Sequence, residues 1–150
     1  MTQSRFLDAN IFVRHITGDH ETHSPAARAL FDDIELGRAT AWTTDLTIAE
    51  AVYVLASKRT YHLDRPSVRA GLLPLINLPG LELPSKALYP RAFDLYVAHP
   101  IDFHDAFHAA LIESRGETEL YSFDQDFDRI PSLTRFEPPL PSVAADNAGI

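Results

Sequence analysis

The chain of 150 residues has no cysteine, which excludes disulfides, thiolate zinc sites and a cysteine nucleophile and is compatible with a reducing compartment. Lysine is nearly absent as well: eleven of the thirteen basic residues are arginine. There is no long hydrophobic run. The most apolar stretch, from Gly71 to Leu83, is interrupted by Pro74 and Pro79 and cannot span a bilayer. The first apolar segment carries Arg5 and Asp8, so no signal-peptide core is expected, and the reading is a cytoplasmic protein. No glycine-rich phosphate loop and no G-x-S-x-G elbow occur. The run His20-Glu21-Thr22-His23 falls one residue short of a zinc-protease motif and puts Ser24 where the second ligand belongs.

What is present is an ordinary globular composition, 45% hydrophobic and 23% charged, on a length suited to one domain with a real core. The net charge of −8 argues against a phosphate-rich partner. Taking five carboxylates into a metal site leaves −3, and bound cations would reverse the local sign. Arginine is also the better phosphate fork.

Short apolar segments alternate with helical patterns. Arg5 to Asp8 reads as a buried strand, with Asn10 placed to cap a helix through about Thr17. Ser24-Pro25 predicts a helix start, and Gly37 the stop after Leu36. Ala39 to Thr43 is a candidate strand, followed by a long helix to about Arg59. Asp64 caps a helix reaching Leu73 or Asn77, Gly80 to Leu83 is a strand, and Ser85 caps a helix to about His99. Asp102 caps Phe103 to Arg115, and Glu119 to Ser122 is a further strand. The alternation predicts an α/β fold, a three-layer α/β/α sandwich with a mostly parallel central sheet. Residues 1–136 form the domain, and 137–150, proline-rich and then small and polar, read as a disordered tail.

Ligands of open parallel sheets bind beyond the carboxyl ends of the strands. Asp8 ends the first strand and Asp124 follows the last, so both point to one edge. Either alone could equally be a turn carboxylate. Glu50 is the only charge between Leu46 and Ser57, on a helix apolar on most sides, and is therefore expected to be buried and to need a cation or a proton. Asp105 sits three residues after the cap Asp102, where the helix dipole suffices to explain a carboxylate, and His108 lies one turn on. Asp124, Asp126 and Asp128 alternate directly after a strand. An EF-hand would need glycine and glutamate where Arg129 and Arg135 stand. An oxygen-ligand cluster remains.

Phe6-Leu7-Asp8-Ala9-Asn10, the isolated Glu50, Asp105-Ala106-Phe107-His108-Ala109-Ala110 and Ser122-Phe123-Asp124-Gln125-Asp126-Phe127 together resemble the PIN-domain family. Within it they look most like the VapC-type toxins of toxin–antitoxin pairs, over about Arg5 to Phe136. Each motif is weak alone; four in this order are specific. The resemblance implies Asp8, Glu50, Asp105 and Asp124 as an acidic quartet and Asp126 as a fifth ligand, with Asn10 and Ser122 as supporting polar groups. It implies an endoribonuclease hydrolysing RNA phosphodiesters with Mg²⁺ or Mn²⁺, a cognate antitoxin protein, and a homodimer. The helices Asp64–Asn77 and Ser85–His99 are candidate contact surfaces for such partners. Asp102, His104 and Asp128 crowd the pattern. Two alternatives stand beside it. One is a haloacid-dehalogenase-type phosphohydrolase using Asp124 and Asp126; the other is a non-catalytic module that binds RNA or protein.

Overall fold

The computed structural model describes residues 3–141, so most of the segment expected to be a disordered tail, 142–150, lies outside the described residues. The strands are β1 (Arg5–Phe6), β2 (Ala41–Trp42), β3 (Leu81–Glu82), β4 (Glu119–Tyr121) and β5 (Thr134–Phe136). The α-helices are α1 (Ala9–Thr17), α2 (His23–Glu35), α3 (Asp45–Ala56), α4 (Arg65–Ile76), α5 (Tyr89–Ala98) and α6 (Phe103–Ser114). Short 3-10 turns cover Lys86–Leu88 and Gln125–Arg129.

Every strand pairing among the described residues is parallel, as helical crossovers require. The strands are divided between two sheets, however: β1-β2-β3 in one and β4-β5 in the other. The α/β class and parallel pairing are those expected from the alternation. The strand β5 was not anticipated, because three residues between Pro131 and Pro138 carry too little pattern to stand out.

Helix boundaries follow local chemistry. Thr44 and Asp64 cap α3 and α4 by accepting the Thr47 and Ser67 amides. Two caps differ from expectation. Asp8, not Asn10, is the residue before α1: it leaves β1 in an extended conformation, and Asn10 lies inside the first turn. The second helix begins at His23, not after Ser24, because the His20 ring Nδ1 accepts the amides of Thr22 and His23. The His20–His23 run is thus a capping turn, its two rings stacked 3.7 Å apart. The predicted helix from Ser85 starts as the 3-10 turn and becomes α-helical only at Tyr89. Gly37 sits at φ +74° after α2, a conformation glycine adopts without a Cβ penalty.

The core is one cluster. Ile48, Ala51, Val52 and Leu55 give α3 a buried stripe at helical spacing, packed with Phe12, Phe31, Leu72, Ile76 and Phe93. The opposite face of α3 carries Leu46, Glu50 and Tyr53, all exposed. Glu50 is therefore not the buried carboxylate expected. Its apolar neighbours Leu46 and Tyr53 face solvent beside it, and counting charges along the helix could not show that.

Candidate metal centre

The buried end of the site is Asp105. It occupies the first turn of α6, where orphan amides and the helix dipole favour negative charge, and its side chain is only 8% exposed. The preceding residue, His104, places Nε2 3.4 Å from Asp105 Oδ1. Burial pushes the Asp105 carboxyl up from its ordinary value, and Asp124 and Asp102 push it the same way against the attraction of His104 and His108.

Asp124 approaches from the connection after β4. Its amide donates to Ser122 Oγ at 3.0 Å, and its own Oδ1 accepts the Asp126 amide at 2.9 Å, so this loop holds both carboxylates in place. Asp105, Asp124 and Asp126 each offer a donor oxygen within 4.8 Å of the others. A second group, Asp102, His104 and Asp105, meets the same criterion and shares Asp105 with the first. The Asp105–Asp124–Asp126 set is all carboxylate, with no sulfur or nitrogen donor. That chemistry fits a hard divalent cation such as Mg²⁺ or Mn²⁺.

The two donor groups do not take in every sequence candidate. Asp8 and Asn10 are exposed and line a cavity of about 590 Å³ with Ile11, Arg14, His23 and Leu30. Glu50 is exposed on α3, and neither Asp8 nor Glu50 belongs to either donor group. Asp8 follows β1 and Asp124 follows β4, strands that belong to different hydrogen-bonded sheets. Asp128 is taken out of the site by a two-pronged contact with Arg135, at 3.0 and 3.2 Å.

Two positioning residues were not anticipated. Arg135, its side chain 13% exposed, also donates to the Ser122 carbonyl at 3.0 Å, tying β5 to the acidic loop. Arg65 stacks its guanidinium 4.2 Å over Tyr96, and Nη1 contacts the carbonyls of Tyr96, His99 and Ile101 at 2.8, 3.2 and 2.6 Å. It thereby fixes the turn leading into Asp102 and α6. Neither arginine stands in a motif, and the sequence around each carries no signal of its role.

The PIN domain family model matches residues 5–133. No curated protein matches the chain. Among solved structures, the chain is similar to VapC20 of Mycobacterium tuberculosis, described as a sarcin-ricin-loop-cleaving toxin. The identity is 22% and the TM-score 0.37, over 85% of this chain and 95% of that one. It is also similar to VapBC2 of Rickettsia felis bound to a fragment of its promoter DNA, at 19% identity and TM-score 0.34, over 90% of this chain and 98% of that one. Among the described residues no helix is long and apolar enough to cross a membrane.

Proposed function

Since the chain belongs to the PIN-domain family, we propose that it is a divalent-metal-dependent endoribonuclease, acting in the cytoplasm as the toxin of a toxin–antitoxin pair. The observation that carries this reading is the convergence of Asp105 and Asp124–Asp126 from separate elements onto donor positions within 4.8 Å. The haloacid-dehalogenase alternative used the letters Asp124-Gln125-Asp126 alone and belongs to a different family. A cognate antitoxin and a homodimer are proposed from the family resemblance.

A cation held by these carboxylates would lower the pKa of an attacking water and neutralise charge on the scissile phosphate. The chain's own residues do the rest. Asp105 supplies a fixed, buried oxygen at a helix N-terminus, where its orientation is set by α6. Asp124 and Asp126 close the set from the loop that Ser122 and Arg135 hold. Asp8 and Glu50 are proposed as further acidic residues of the site on the resemblance, with Asn10 in support of Asp8.

The test is cleavage of single-stranded and structured RNA in Mn²⁺ by the full chain beside Asp105→Asn and Asp124→Asn. Loss of cleavage of at least a hundredfold in both, with the circular dichroism of the wild type, is the expected result. Undiminished cleavage by folded Asp105→Asn would falsify the proposed centre. Asp8→Asn and Glu50→Gln in the same assay decide whether those two act.

A further inference from the structure

A cavity of about 420 Å³ opens beside the acidic centre, walled by α3, Arg65 and the start of α6. That volume is ordinary for a site taking one small ring system (pockets run about 300–1,000 Å³). Its floor is apolar, from Ala49, Val52, Ala56 and Phe103. Tyr53 stands at its side with 72% of its surface exposed, although the rest of that wall is packed. Asp102 and His104, the same two residues that form a donor group with Asp105, also line it. The cavity therefore shares two residues with a donor group that contains Asp105.

Two side chains here have no structural duty that explains them. Asp102 occupies the N-cap position of α6 yet makes no capping hydrogen bond. Tyr53 exposes a flat ring on a helix whose other face supplies the core. An aromatic ring and a carboxylate lining one small cavity are the pair of contacts that single-stranded RNA recognition uses: stacking on an aromatic face and hydrogen bonding at the base edge.

We propose that this cavity is a nucleobase pocket, in which Tyr53 stacks on an unpaired base of the RNA and Asp102 reads its Watson–Crick edge. The proposal rests on the ribonuclease reading above and names a specificity determinant for it. A carboxylate presents two acceptors and no donor. Guanine alone has two adjacent donors on that edge, N1–H and the N2 amino group, so the base selected is guanine. Adenine and cytosine each set an acceptor next to their amino group, and uracil flanks its single donor with two carbonyls; any of them would leave one carboxylate oxygen facing an acceptor or empty space. Because the cavity shares Asp102 and His104 with the donor group that contains Asp105, the selected guanine lies at a fixed, short distance from the scissile phosphate.

The experiment is cleavage, in Mn²⁺, of a single-stranded RNA library with a randomised central segment, with the ends mapped by sequencing. It compares the wild type, Asp102→Asn and Tyr53→Ala. Asparagine caps a helix as well as aspartate, so the first variant preserves α6. Tyr53 is exposed, so the second preserves the core. The wild type is expected to require guanine at one position relative to the cut. Asp102→Asn, whose amide pairs a donor with an acceptor, is expected to lose that requirement or turn it toward adenine. Tyr53→Ala is expected to raise KM about tenfold, in line with the loss of one stacked base, with kcat within about twofold. A guanine requirement unchanged in Asp102→Asn, or a wild type with no base preference, overturns the pocket and leaves the nuclease. An Asp102→Asn variant that needs only more Mn²⁺ assigns Asp102 to the cation and also overturns it. A wild type that cuts no RNA overturns both readings.

Discussion

Asp105 carries an energetic conflict that only a cation or a proton resolves. Burial and the neighbouring carboxylates raise its pKa above the unfolded value, so its protonated form is favoured in the fold. Such a group stabilises the protein below its unfolded pKa and loses that contribution as pH rises through the folded pKa. In chelator, then, the wild type should weaken as pH climbs out of the acidic range. Asp105→Asn should remove that slope and melt about 2–4 °C higher at neutral pH, the shift that ~1 kcal/mol produces at this chain length. In Mg²⁺ the order should reverse, because the variant gains nothing from the ion; scanning calorimetry in both buffers measures this. Arg135 makes a second prediction at this scale. Arg135→Gln should lower kcat about tenfold or more, in the range known for residues that orient metal ligands, while thermal unfolding stays cooperative. Both residues illustrate what could be read beforehand. Asp105, Asp124 and Asp126 were visible as chemistry-bearing letters at family spacing. Arg135 was not, because its role is defined by what it touches: the Ser122 carbonyl, 13 residues away, and the Asp128 carboxylate, 7 away.

At the scale of elements, legibility tracked how much each depends on its own sequence. Helices α4 and α6 begin where Asp64 and Asp102 said they would, since capping is a local negotiation between a side chain or backbone conformation and orphan amides. The two-residue strands were locatable by alternation with helices, but their grouping into sheets was not, because pairing is decided by helix packing across the chain. Asp8 stands at the N-cap of α1, and its membership of the centre is proposed on the resemblance alone. The expected burial of Glu50 fails for a related reason. A helix can be apolar nearly all round and still turn one apolar strip outward, and only the partner helices decide which strip. The turn from His99 to Asp102 is the clearest case of tertiary control: Arg65, at the start of α4, fixes it through three carbonyls. Replacing Arg65 with Met should cost about 2 kcal/mol, the magnitude for hydrogen bonds from a charged group. Urea unfolding reads it, and a midpoint equal to the wild type's would show that the turn holds itself.

Over the whole molecule, a net charge of −8 has to be reconciled with a polyanionic substrate. The abundance of arginine suggested phosphate forks, but the structure spends most of it internally. Seven of the eleven guanidiniums lie within 4.0 Å of a carboxylate, at Arg14, Arg38, Arg69, Arg91, Arg115, Arg129 and Arg135, and Arg65 is committed to backbone carbonyls. Few cations are left to grip a backbone. RNA affinity should therefore depend on divalent ions at the acidic centre more than on arginine–phosphate contacts. For single strands log K falls with log salt at about −0.7 per phosphate neutralised, so about two such contacts predict less than a tenfold loss between 50 and 200 mM KCl. Fluorescence anisotropy of a labelled single-stranded RNA in Ca²⁺, a hard ion suited to the same oxygen donors, provides the measurement. Exchanging Ca²⁺ for chelator should cost more than tenfold, because Asp105, Asp124 and Asp126 then face the phosphates as bare carboxylates. A salt loss of a hundredfold with no response to chelator would place the RNA on an arginine surface instead, and would sever substrate binding from the acidic centre.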